Sequence, residues 1–194
     1  MARPVEFVYE DVLSNATEQF WREGFEASSV QKLLDVTGIN RGTLYNSFGD
    51  KDTFFKTCLE YYNQTVNADL EASLNDESLS AWESVEKYFQ VSVLGLTNKK
   101  RSLGCLFVNS FCESINYNKD IQKLVKGYYN NIRKAFLKRM KEAEKAGQLN
   151  KDVSAELATD ALMNLLSGLR VHSREGKPGK QLAAITDLTI KSLR

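Results

Sequence analysis

The residues best suited to chemistry lie between Ser28 and Lys51. They run Ser28-Ser29-Val30-Gln31-Lys32, then Gly38-Ile39-Asn40, then Arg41-Gly42-Thr43-Leu44-Tyr45-Asn46-Ser47-Phe48-Gly49-Asp50-Lys51. Hydroxyls, amides, a guanidinium and a phenol crowd together here, with no histidine or thiol among them. Such a set forms hydrogen bonds rather than breaking covalent ones. Recognition of phosphate oxygens and base edges is the chemistry it can do.

The elements that must carry these groups are short helices. A first helix is expected from about Glu10 to Glu23, with Val12, Ala16 and Phe20 four residues apart and Leu13 beside them. Gly24 can take the left-handed conformation that ends it. Ser28 or Ser29 can cap a second helix, whose inward face is Val30, Leu33 and Leu34. Gly38 closes that helix, Ile39 plugs the corner, and Asn40 caps a third from Arg41 to Phe48. Two turns do not recover the cost of nucleation, so Leu44 and Phe48 must pin this piece to its neighbours. Its other face then presents Arg41, Gly42, Thr43, Tyr45 and Asn46. Gly49 stops it, and Asp50 caps a fourth helix running to about Leu74. Two short helices around a glycine turn form the unit that sets a helix into the DNA major groove.

The remainder reads as an all-helical body. Pro4 and Pro178 are the only prolines, so nothing between them forces a break. Helices are expected over 80–97, with Trp82, Val85, Phe89, Val93 and Leu96 on one face, then over 103–115, 120–146, 155–173 and 180–193. Asn98 to Ser102 forms a polar loop, and Gly176-Lys177-Pro178-Gly179 a break. That makes about nine helices, all-α, divided into a reader at 1–51 and a body at 52–194.

Charge alone does not announce a nucleic-acid partner. The net formal charge is +1 over 194 residues. Within 1–51 the basic side chains are Arg3, Arg22, Lys32, Arg41 and Lys51. They are outnumbered by Glu6, Glu10, Asp11, Glu18, Glu23, Glu26, Asp35 and Asp50. Binding must therefore rest on local geometry, hydroxyls and backbone amides as much as on bulk charge. No signal peptide or membrane-length apolar run is visible. Three irregularly spaced cysteines give no disulfide framework, and a cytoplasmic protein is expected. His172 is the only histidine, which excludes a histidine-cluster metal site. It stands beside Arg170 and Arg174, where a helix cap or a dimer edge suits it better than catalysis. No nucleophile triad, phosphate-cradling loop or CxxC pair appears, so neither an enzyme nor a cofactor is expected.

Gly24-Phe25-Glu26-Ala27-Ser28-Ser29-Val30, then Gly38 through Phe48, then Lys51, resembles the N-terminal signature of the tetracycline-repressor (TetR) family over roughly residues 8–55. Gly104-Cys105-Leu106-Phe107-Val108-Asn109-Ser110 resembles one branch of it. The resemblance implies a repressor that pairs through its C-terminal helices, binds double-stranded palindromic DNA, and is released by a small molecule held in the body. It implies phosphate contacts from Ser28, Gln31, Tyr45 and Lys51, and base-edge contacts from Arg41 and Thr43. Asn46 would meet phosphate or base, and Gly42 would let the backbone approach closely.

Tyr61, Tyr62, Trp82, Tyr88, Phe89, Phe107, Phe111, Tyr128 and Tyr129 span the helices that would enclose an effector pocket; Trp82, Phe89, Phe107 and Phe111 are the preferred candidates for lining it, with Asn109 either orienting a ligand or capping a neighbouring backbone. For pairing they are Ala161, Leu162, Leu165, Gly168 and Leu169 from one helix and Leu182, Ile185, Leu188 and Thr189 from the last. Cys105, near a helix start and after Lys99, Lys100 and Arg101, invites an alternative reading as a thiol or electrophile sensor. Cys112 lies two turns on, too far for a disulfide within one helix, and Cys58 reads as packing. A helical interaction module without DNA binding is a further alternative, which the acidic front third favours.

Overall fold

The computed structural model describes residues 8–113 and 117–194. Arg3, Pro4 and Glu6, and the expected helix end at Ile115, lie outside the described residues. The chain forms α1 (Tyr9–Glu23), α2 (Val30–Thr37), α3 (Arg41–Phe48), α4 (Lys51–Glu71), α5 (Ala81–Phe89), α6 (Asn98–Arg101), α7 (Leu106–Glu113), α8 (Lys119–Lys145), α9 (Ala155–Arg174) and α10 (Gly179–Leu193), with no strand among the described residues. The expected helices are all present, and the polar loop at 98–102 contributes one more, the single turn α6.

Caps and glycines set the boundaries of the first helices. Asn40 and Asp50 accept the backbone N–H groups of Thr43 and Thr53, each at 2.8 Å, at the starts of α3 and α4. Gly38, at φ +70°, closes α2 in the left-handed conformation that a side chain resists.

The front unit packs around aromatic rings. Phe20 of α1 lies 4.7 Å from Phe55 of α4, ring centre to ring centre, and Phe48 of α3 lies 4.4 Å from Phe54. Leu33, Leu44 and Phe54 are fully buried. The first turn of α4 thus closes the reader's core, while Tyr62, Val66 and Leu70 further along the same helix enter the core of the body. In the body, α8 runs between α5 and α9, with Phe89 and Phe136 buried in contact.

Polar ties from the body to the front unit and to the first turn of α4 include an ion pair between Lys99 of α6 and Glu18 of α1 at 3.9 Å. The Glu113 carboxylate of α7 accepts the Phe25 N–H at 3.2 Å. The Arg174 guanidinium of α9 donates to the Arg22 carbonyl at 3.1 Å. The Asn118 amide, at the N-cap of α8, donates to Asp52 at 2.7 Å.

Three boundaries depart from the sequence reading, each for a local reason. The fourth helix stops at Glu71 instead of about Leu74, because buried Arg139 of α8 takes the Leu74 carbonyl at 2.7 Å and also donates to the Asp76 and Leu79 carbonyls. The helix over 80–97 remains α-helical only to Phe89. It widens into a π-helical segment, Gln90–Leu94, in which the Gly95 N–H reaches back to the Gln90 carbonyl at 2.7 Å. The extra residue shifts the phase of the face, so Ser92 turns inward beside Val93. Finally, α7 starts at Leu106 rather than Leu103, because Gly104 adopts φ +73° with the Arg170 carbonyl close against it.

Arg139 is a charged clamp on the α4–α5 turn. Arg139→Met should lower unfolding free energy by about 3 kcal/mol in urea denaturation, since it strands buried carbonyls without partners.

Candidate nucleic-acid interface and inner cavity

The outer face of α3 is open. Arg41, Gly42, Tyr45 and Asn46 are exposed and Thr43 is half-buried, while Leu44 and Phe48 point into the core. Arg41 forms no ion pair among the described residues, leaving its five donors available. Tyr45 is 46% exposed, high for a ring of its size. Gln31 is also exposed and lies on the same side as Asp35, to which it donates at 2.8 Å.

Two of the expected contact residues are otherwise engaged. The Ser28 hydroxyl is fully buried and donates to the Gly24 carbonyl at 2.6 Å, so it cannot meet a phosphate. Its neighbour Ser29 is the exposed N-cap of α2, accepting the Lys32 N–H at 3.3 Å. A one-residue choice between adjacent serines decides which faces solvent, and Ser29 takes the outward place. Lys51 rests over the Phe25 ring at 4.3 Å and donates weakly to the Glu26 carbonyl at 3.5 Å, so its ammonium lies at the edge of the reader, half-covered.

The acidic count around the reader is partly neutralised. Glu18 pairs with Arg22 and Glu23 with Lys32, both at 2.6 Å, and the hydrogen bond from Lys32 holds the Glu23 carboxyl below its usual pKa. Asp50 is held low by the Thr53 backbone N–H it caps. These acids are committed to local partners, away from the open side of α3.

A partly open cavity of about 410 Å³ lies where the body meets α1, between α1, α4, the π-helical segment, α6 and α9. Trp21, Tyr61, Tyr62, Leu96 and Leu103 supply its apolar wall, and Glu18, Asp69, Lys99, Lys100 and Arg170 its charged groups, with Lys99 3.9 Å from the Glu18 carboxylate. Of the aromatic candidates Tyr61 and Tyr62 line this cavity, while the four preferred rings and Asn109 do not. Trp82 donates to the Gln148 carbonyl at 3.3 Å beneath the Arg194 guanidinium. Phe89 packs on Phe136, and Phe107 is buried against Tyr62 and Tyr128. Phe111 is exposed and stacks on Tyr129. The Asn109 amide donates to the Leu103 carbonyl at 3.1 Å, which is the capping role. The readable signal that was missed is Arg170, a charge set inside the apolar run from Leu165 to Val171.

Cys58, Cys105 and the histidine make contacts within the fold. Cys58 is buried, with its thiol pushed up to about 12 by burial. Cys105 is buried and receives the Tyr62 hydroxyl at 3.6 Å, while Cys112 is exposed. Burial thus removes the solvent access that a thiol sensor at Cys105 requires. His172 meets Glu175 at 3.0 Å, one turn on, as a helix-end contact. No group of three or more potential metal ligands occurs among the described residues, and none of their helices is long and apolar enough to cross a membrane.

Of the residues expected to pair subunits, Leu162, Leu165, Leu169 and Leu182 are buried within the protomer. Their helical phase turns them toward its own core. The open stripe of α9 is Leu157, Ala161, Asn164, Gly168 and Val171, spaced by four and three residues, with nothing within 4 Å of where a Gly168 side chain would point. On α10, Leu188 is 71% exposed and Ile185 half-buried.

A two-turn helix held outward by a helical core, joined through one long helix to an α-helical body, defines a helix-turn-helix transcriptional regulator. The comparisons agree. Residues 12–58 match the family described as bacterial regulatory proteins, tetR family. An uncharacterized HTH-type transcriptional regulator of Bacillus subtilis, YezE, is 30% identical over 158 residues, covering 80% of this chain and 81% of that protein. The HTH-type transcriptional repressor ComR of Escherichia coli is 25% identical over 190 residues, covering 97% of this chain and 90% of that one. Among solved structures, the TetR family regulator CifR, a cysteine mutant complexed with 26-base-pair operator DNA, superposes with a TM-score of 0.84 at 23% identity over the whole of both chains. The chain belongs to the TetR family and is a DNA-binding transcriptional regulator, not an enzyme.

The opposite settings of the two serines give a direct check. Ser29→Ala should cost about 1 kcal/mol of stability through the lost cap and weaken DNA binding. Ser28→Ala should cost stability alone, leaving DNA affinity, measured by fluorescence anisotropy, within about twofold once folding is allowed for.

Proposed function

We propose that the protein is a repressor acting as a homodimer on a palindromic operator, with residues 1–51 as its reader and 52–194 as the body that binds an effector and pairs the subunits. The outward face of α3 carries this reading. Arg41 has the fork geometry for a guanine edge, Thr43 and Asn46 offer short polar groups, and Gly42 keeps the backbone close to the groove. Gln31, Ser29, Tyr45 and Lys51 surround that face with phosphate ligands.

A two-turn helix reads few base pairs, so specificity calls for two readers about one DNA turn apart, ~34–36 Å. The stripe from Leu157 to Val171 on α9, with Leu188 and Ile185 on α10, supplies an apolar surface for the partner copy, and Ala161 and Gly168 let the helices approach. The inner cavity touches α1 and α4 from the reader side and α9 from the pairing side. A small molecule that alters their relative placement there would change the distance between the two readers and release DNA.

Selection of bound duplexes from a random pool tests the repressor reading by yielding a palindrome. Arg41→Ala should then weaken operator binding by about 1–3 kcal/mol and relax preference at one base pair of each half-site. Affinity for the recovered operator should fall steeply with salt, as counterion release demands. Failure to enrich any sequence with fully reduced protein would overturn this reading. Leu188→Glu should convert the dimer to monomer in sedimentation velocity and abolish operator binding at concentrations where the parent protein saturates it.

A further inference from the structure

The groups around the inner cavity are unevenly matched. The Arg170 side chain is 93% withdrawn from solvent, being 7% exposed, and lines the cavity. Its one hydrogen bond is from a terminal nitrogen to the Gly104 carbonyl at 3.3 Å, and its Nε–H has no partner. No carboxylate lies within ion-pair distance of it among the described residues. The indole N–H of Trp21, on the same wall, is likewise buried without an acceptor. Lys99 and Lys100 line the same cavity from α6. A buried guanidinium with no direct ion pair and an unpartnered Nε–H is expensive for a protein to maintain.

We propose that this cavity binds a small amphipathic carboxylic acid, its carboxylate paired with Arg170 and the Trp21 indole N–H, and its apolar part lying against Tyr61, Leu96 and Leu103. A planar carboxylate matches the fork of a guanidinium in two parallel hydrogen bonds. A volume of about 410 Å³ admits a molecule with a ring or a medium acyl chain. Two carboxylates line the site and oppose an anion, Glu18, which lies 3.9 Å from Lys99, and Asp69. Burial pushes the Asp69 carboxyl pKa up, against the pull of Arg170. Because Trp21 belongs to α1 and Arg170 to α9, a carboxylate held between them links reader to body directly. The chemical class of the ligand thus extends the effector-release reading and rests on it only for its consequence at DNA.

The test uses the full-length protein and a panel of butanoate, octanoate, benzoate and 3-phenylpropanoate, each paired with its primary amide. Binding is read by thermal shift and by quenching of tryptophan fluorescence, and DNA release by anisotropy of the selected operator. The expected result is that at least one acid binds about thirtyfold or more tightly than its amide, and that Arg170→Met removes this preference. Asp69→Asn, which leaves Arg170 in place and needs no buried charge, should tighten the same acid several-fold. Equal binding of acids and amides across the panel, no binding by any acid, or an unchanged preference in Arg170→Met alongside weakened binding in Asp69→Asn, would overturn the assignment. An acid that binds with these dependences but leaves the operator complex intact would uphold the site and overturn effector release instead.

Discussion

The two-turn α3 is the constraint on which the rest of this structure depends. A helix of eight residues has almost no stability of its own, yet reading a groove requires it to be rigid. The chain meets this with a capping asparagine at its start, Leu44 and Phe48 buried beneath it, and a ring cluster drawn from α1 and α4. Those rings commit the first turns of α4 to the reader's core. The long helix must therefore belong to both halves, and the body is built around its remaining turns. The single outward face of α3 is what this packing leaves available for recognition.

Charge is handled by the same economy of local partners. Although acidic side chains outnumber basic ones in the front third, those nearest the reader serve as caps or as partners for Arg22 and Lys32. The exposed guanidinium of Arg41 is left uncompensated, which gives α3 a locally positive tip without a basic domain. Deep in the body the reverse holds, with Arg170 buried and short of acceptors.

Much of this was legible in the residues, and the exceptions share a cause. Glycines at 24, 38, 49 and 147 and capping side chains such as Asn40 and Asp50 fixed helix ends to within a residue or two, because their conformational demands are local. Which side of a helix faces the core is a tertiary matter. α9 carries two apolar stripes, and nothing local distinguishes Leu162, Leu165 and Leu169, which turn inward, from Leu157 and Val171, which stay open. Trp82, Phe89 and Phe107 were attractive as pocket walls by residue type, but aromatic rings fill cores equally well. The widened turn at Gln90–Leu94 rotates the residues after it and brings Leu96 to the cavity, a phase change that an α-helical reading of 80–97 does not contain.

The ties from Glu113, Arg174 and Asn118 to the front unit have a mechanical consequence. They come from three different helices and grip the reader at the α1–α2 turn, the end of α1 and the start of α4. A swing of α4 would have to carry α7, α8 and α9 with it or break these hydrogen bonds. As a lever, the 21 residues of α4 extend about 30 Å. A rotation of only about 6° about its body end carries the other end some 3 Å, close to the ~3.4 Å spacing of successive base pairs. On the proposed effector-release reading, a distortion too small to disturb packing in the body would become a misalignment of about one full step along the groove.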